Sequence, residues 1–126
     1  MIRLTKEELL LMHEQIIRRY GGTYGVRDEG LLDSAMHAPF QGFGEQEFYP
    51  TVVQKAVRLC FGLVMDHPFH DGNKRIGALA LLTTLDLNHL TLHTTSAEFS
   101  EIILLLAAGA VSDEALLQWV QERIDS

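Results

Sequence analysis

Apolar residues recur at helical spacing along most of this chain, and the gaps between them carry cap and turn residues. Leu9, Leu10, Met12, Ile16 and Ile17 share a face of a first helix, predicted over about residues 5 to 19. Thr5 with Glu8 forms a capping box at its start, and Tyr20-Gly21-Gly22 stops it. His13 falls on or beside the apolar face, either as a structural histidine or as one lining a site. After a glycine-rich loop, Asp28 is the N-cap of a short helix carrying Leu31, Leu32, Ala35 and Met36, which Pro39 ends.

Residues 40–50 are the least regular part of the chain, with Phe40, Phe43, Phe48 and Tyr49 among two glycines and a closing proline. They read as a flap or irregular hairpin. Its aromatics either fold back onto the core or form an edge that pairs with an extended segment of another protein, and both can hold together.

Two long apolar helices follow. Thr51 with Gln54 is a second capping box, opening a helix through about Met65, and Asn73 begins another that runs to Leu87 before Asn88-His89. Neither shows a wide polar face, so both are expected to be buried as a central pair. Leu90 to Thr94 alternates too briefly to support a sheet and reads as an extended link. Thr95 or Ser96 caps a helix over about residues 97 to 108, stopped by Gly109. Ser112-Asp113-Glu114 opens the last, with Leu116, Leu117, Trp119, Val120 and Ile124 facing inward. The pattern predicts an all-α bundle of about six helices with a short flap.

Composition narrows the picture. A chain of 126 residues with 47% hydrophobic content suits one domain over residues 1–126. Cys60 is the single cysteine and lies in an apolar run, which points to a buried thiol in a reducing compartment. The first residues lack the order of a secretion signal, and no apolar run reaches the ~18 residues of a membrane span. A cytoplasmic protein with no membrane association is expected. The net charge of −7 argues against direct nucleic-acid binding but leaves room for a nucleotide site.

The chemistry is concentrated in His67-Pro68-Phe69-His70-Asp71-Gly72-Asn73-Lys74-Arg75, the polar connection between the two apolar helices. Gly72 and Asn73 stand at a helix start, where free N–H groups and the helix dipole favour an anion. Lys74 and Arg75 are cations in a first turn, where they oppose the dipole unless an anion binds there. Asp71 is a hard oxygen ligand of the kind Mg2+ uses together with nucleotide phosphates. His67 can take a proton from an attacking hydroxyl. These are the parts for metal-assisted transfer from a nucleoside triphosphate such as ATP. A plainer reading remains open, in which Asp71-Gly72-Asn73 is a turn with a helix cap and the two cations are solvated. A metal site built on His67, His70 and Asp71 lacks a clear further ligand cluster.

This stretch resembles the signature of the Fic/Doc family, a His-Pro-Phe-x-Asp/Glu-Gly-Asn-Gly/Lys-Arg loop between two central helices of an all-α fold. Leu11 to Gly22, Asp28 to Met36, and Phe40 through Tyr49-Pro50 further resemble its death-on-curing, or Doc, branch. The resemblance implies that His67 is the general base, Asp71 the Mg2+ ligand, Gly72 and Asn73 the phosphate nest, and Arg75 the residue holding the phosphates, with Lys74 beside it.

Members that transfer AMP usually have glycine where this chain has Lys74, and a second arginine where it has Ala78. Doc-like toxins share the present pattern. That branch implies an inverted nucleotide and transfer of the γ-phosphate of ATP to elongation factor Tu, arresting translation. Phosphorylation is therefore favoured over AMP transfer, with a non-catalytic binding module as the third alternative. The self-inhibitory Ser/Thr-x-x-x-Glu-Gly/Asn helix of some members is missing, since Phe99 follows Glu98 and Gly25 precedes Glu29-Gly30. A Phd-like antitoxin acting in trans is the implied partner.

Overall fold

The computed structural model describes residues 1–125 and contains six α-helices among them. These are α1 (Lys6–Tyr20), α2 (Glu29–His37), α3 (Val52–Asp66), α4 (Asn73–Leu87), α5 (Ser96–Ala107) and α6 (Asp113–Gln121). The expected all-α architecture is observed. The cap residues explain the boundaries: Thr5 accepts from the Glu8 amide at 3.1 Å, Asp28 from Leu31 at 3.0 Å, and Thr51 from Gln54 at 3.1 Å. Thr95 and Ser112 do the same for α5 and α6. Each satisfies amides that the first turn leaves without an internal partner.

Helices α3 and α4 fold back on one another and lie between two apolar layers. On one side Leu59, Leu63, Ile76 and Ala80 meet Leu9 and Ile16 of α1 and Leu32 and Ala35 of α2. On the other, Ala56, Cys60, Val64, Leu81 and Leu85 meet Phe99, Ile103 and Leu106 of α5 and Leu116 and Val120 of α6. Two layers to face explain why these helices carry apolar residues almost all round. The pair packs closely at Gly77, where a Cβ would stand 2.5 Å from Val64 Cγ2 and 3.2 Å from the Cys60 carbonyl oxygen. Cys60 is fully buried, and desolvation pushes its thiol pKa up to about 12, so it is no nucleophile at neutral pH.

Burial of α4 is less complete than its composition suggests. Leu79 and Leu82 are 37% and 36% exposed, because the neighbouring helices leave one strip of α4 uncovered. The link after α4 also differs from expectation. Thr91–Leu92 forms a strand, β3, that pairs antiparallel with a strand at Ile124–Asp125, with Leu92 opposite Ile124. Ile124 therefore lies in that strand, not on α6, and its partner 32 residues away lay beyond any local pattern.

The flap is a two-residue-per-strand hairpin, β1 (Gly42–Phe43) with β2 (Gln46–Glu47). The Ile124–Asp125 strand paired with β3 is β4. The flap is tied down at its base. The buried ammonium of Lys55, in the first turn of α3, donates to Glu47 Oε1 at 2.8 Å and to the Tyr49 carbonyl. Phe40 is half-buried under the Arg3 guanidinium, but Phe43 and Phe48 are 83% and 58% exposed. Fold-back thus holds for Phe40 and fails for Phe43 and Phe48, because no apolar layer reaches beyond the tethered base. Lys55 and His67 sit near opposite ends of α3, twelve residues or about 18 Å apart along the axis. Among the described residues, no helix is long and apolar enough to cross a membrane.

Because Gly77 sets the α3–α4 spacing, Gly77→Ala is expected to destabilise the fold by about 1–3 kcal/mol through overpacking against Val64. Urea denaturation read by circular dichroism checks this.

Candidate active site

The polar connection is held by hydrogen bonds from two directions. His67 ends α3 in a left-handed conformation, φ 50° and ψ 57°, which is unusual for a residue other than glycine. Its carbonyl accepts from Arg27 Nε at 2.7 Å, and the Asp66 carbonyl accepts from Arg27 Nη2 at 3.0 Å. The Pro68 carbonyl takes the amides of Arg27 and Asp28 at 2.7 and 3.1 Å. Val26 and Phe69 form an isolated antiparallel bridge, and the His70 amide donates to the Gly25 carbonyl. The loop before α2 therefore runs alongside the loop before α4.

From inside, Phe69 is buried and stacks on the buried His13 ring, with centroids 3.7 Å apart and planes at 12°. His13 Nε2 lies 2.8 Å from the Asp71 carbonyl oxygen, which can only accept, so that ring nitrogen carries the proton. His13 is a structural residue that touches the site through Asp71's backbone. Asn73 is buried as well: its Nδ2 donates to the Phe69 carbonyl and its Oδ1 accepts from the Phe69 amide, both at 3.0 Å. Its side chain thus closes the loop, which leaves only its backbone N–H free to meet a ligand.

These restraints position the exposed groups. Gly72, at φ 77° and ψ 16°, leads into α4, so Asp71, Gly72, Asn73, Lys74 and Arg75 gather at that helix N-terminus. Asp71 accepts from the Thr23 amide at 2.6 Å. Hydrogen bonds from Thr23 hold its carboxyl below the usual carboxylate range, so it is ionised at neutral pH. The approach is close enough that a Cβ on Gly22 would meet Asp71 Cβ at 3.0 Å.

Lys74 is exposed and makes no hydrogen bond or ion pair among the described residues, while the Arg75 guanidinium lies 4.3 Å from the Tyr20 ring centre. Arg19 approaches the same ring at 5.6 Å, adding a third cation to this end of the molecule. Lys74 and Arg75 also border a groove of about 390 Å³ between α4 and α5, continued by Ala78, Phe99, Ser100, Ile103 and Leu104. His67 is exposed at the end of α3, and among the described residues its imidazole has no partner.

The donor set fits a magnesium ion only together with other ligands. No group of three or more His, Cys, Asp or Glu side chains among the described residues could hold a metal alone. Asp71 supplies one ionised carboxylate, as Mg2+ commonly uses beside phosphates and water. This also leaves the His67–His70–Asp71 metal site without support.

Thr23, Arg27, Tyr20 and Arg19 reach the site without having been singled out in the sequence. Thr23 and Arg27 sit in a loop whose glycines signal only a turn, and Arg19 and Tyr20 look like an ordinary helix end.

A helical hairpin that presents a glycine-led helix start, an acidic residue and a histidine on one connecting loop is the arrangement of the Fic/DOC class of fold. The chain belongs to the Fic/DOC family, whose profile matches residues 3–85, the whole loop included. It is also 39% identical over 69 residues to Toxin Doc of Mycolicibacterium smegmatis. That match covers 55% of this chain and 53% of the relative, so it spans about half the relative's length.

Because Asp71 is more acidic folded than unfolded, its contribution to stability is present above the ordinary carboxylate pKa and is lost as pH falls through its folded value. Asp71→Asn should therefore be less stable than the wild type at pH 7, with the difference shrinking as pH falls through the folded-state value. Urea melts across that range measure it.

Proposed function

We propose that this chain is a Doc-like toxin of a toxin–antitoxin module that transfers the γ-phosphate of ATP to a Ser or Thr hydroxyl of a translation factor, elongation factor Tu. On this reading residues 1–126 act as one Fic/Doc domain in the cytoplasm, restrained in trans by a Phd-like antitoxin. Family membership and likeness to a protein named Toxin Doc support the class. The observation that carries the reading is the grouping, at one helix N-terminus, of backbone donors, the ionised Asp71 and the cations Lys74 and Arg75, on the same loop as an unpartnered imidazole.

The N-terminus of α4 at Gly72 and Asn73 receives phosphate oxygens, with Lys74 and Arg75 balancing their charge. Asp71 would hold Mg2+, which when bound neutralises charge on the phosphates. The target hydroxyl oxygen attacks the γ-phosphorus, the bond to the β–γ bridging oxygen breaks, and ADP leaves. His67 takes the hydroxyl proton. Ala78 stands where AMP-transferring members carry an arginine, which favours γ- over α-phosphorus attack.

Incubating the chain with elongation factor Tu, Mg2+ and ATP labelled at the α or γ position is the test. Label from the γ position on the target is expected. Label from the α position would mean AMP transfer, and none from either would leave a binding module. His67→Ala should lower transfer on the order of 10²–10⁴-fold while nucleotide binding by calorimetry persists.

A further inference from the structure

Three consecutive carbonyls at the end of α3 are all taken by a two-residue stretch of another loop. Those of Asp66 and His67 accept from Nη2 and Nε of the Arg27 guanidinium, and that of Pro68 accepts from the Arg27 and Asp28 amides. Left-handed helix ends are commonly closed by backbone amides turning back onto the last turn. Here the next amides go elsewhere, Phe69 to Asn73 Oδ1 and His70 to the Gly25 carbonyl. Arg27 therefore takes the capping role, and its charge faces the negative end of the α3 dipole. The left-handed backbone of a non-glycine residue costs energy unless its surroundings hold it.

We propose that Arg27 is the positioning residue of His67. By bridging the carbonyls on either side of the His67 Cα it sets that residue's backbone direction, and with it the line along which the imidazole meets a hydroxyl. A planar fork that bonds two acceptors at once suits this task, and a lysine, a single point donor on a flexible stem, does not. The proposal rests on the reading of His67 as the general base. Arg27 itself touches neither substrate nor transferred phosphate.

The test uses Arg27→Met and Arg27→Lys, with Ser112→Ala as a control. The control removes only the α6 cap to Ala115, far from the loop, so it should lower Tm and leave kcat unchanged. In ligand-free protein, the amide–Hα coupling and residual dipolar couplings of His67 should report a left-handed backbone in the wild type and its loss in Arg27→Met. In the transfer assay, Arg27→Met should lower kcat on the order of 10²-fold, the scale of a small misplacement, with nucleotide Kd changed less than about twofold. Arg27→Lys should recover Tm but not kcat.

An unchanged His67 backbone in Arg27→Met, or wild-type kcat in either Arg27 variant, overturns the proposal. The backbone measurement needs no substrate. If the wild-type protein transfers nothing, the functional reading fails while the couplings still decide whether Arg27 holds His67.

Discussion

The close approach of α3 and α4 at Gly77 is the constraint on which the rest of the molecule depends. It brings the end of one helix and the start of the next within the span of a six-residue loop, residues 67–72. The negative end of one helix dipole and the positive end of the other then lie side by side. Arg27 answers the first, and an anion would answer the second. The polar chemistry is exposed on this connection, while the helices that hold it are covered by two apolar layers.

A loop that must hold several functional groups cannot rely on a core of its own. This one is clamped by hydrogen bonds. Asn73 closes it from within, His13 and Phe69 brace it from below, and residues 23–28 run along its outer edge. Most of these partners bind backbone atoms, so the exposed side chains of His67, Lys74 and Arg75 remain available for ligands. Asp71 is the exception, since one of its oxygens is held by Thr23. That bond also lowers the carboxyl's pKa below its ordinary value.

The flap stands apart from this arrangement. Lys55 anchors it near the opposite end of α3 from His67, and its phenylalanines at 43 and 48 face solvent. The uncovered strip of α4 at Leu79 and Leu82 is another place where apolar residues meet water. The sequence does not show the leucines as exposed, since leucines on an apolar helix look like core; for the flap aromatics it leaves core and edge both open.

Helix positions, caps and the location of the reactive loop were legible in the amino-acid sequence, because capping boxes and helical spacing are short-range and each is decided within a turn or two. The roles of Arg27, Thr23 and His13, the β3–β4 pair and the second task of Asn73 came only with the tertiary structure. Each depends on atoms from residues distant in the chain arriving within hydrogen-bond reach. Local periodicity says which face of a helix is apolar; what lies opposite that face, and which carbonyl an arginine finds, follows from how the helices are stacked.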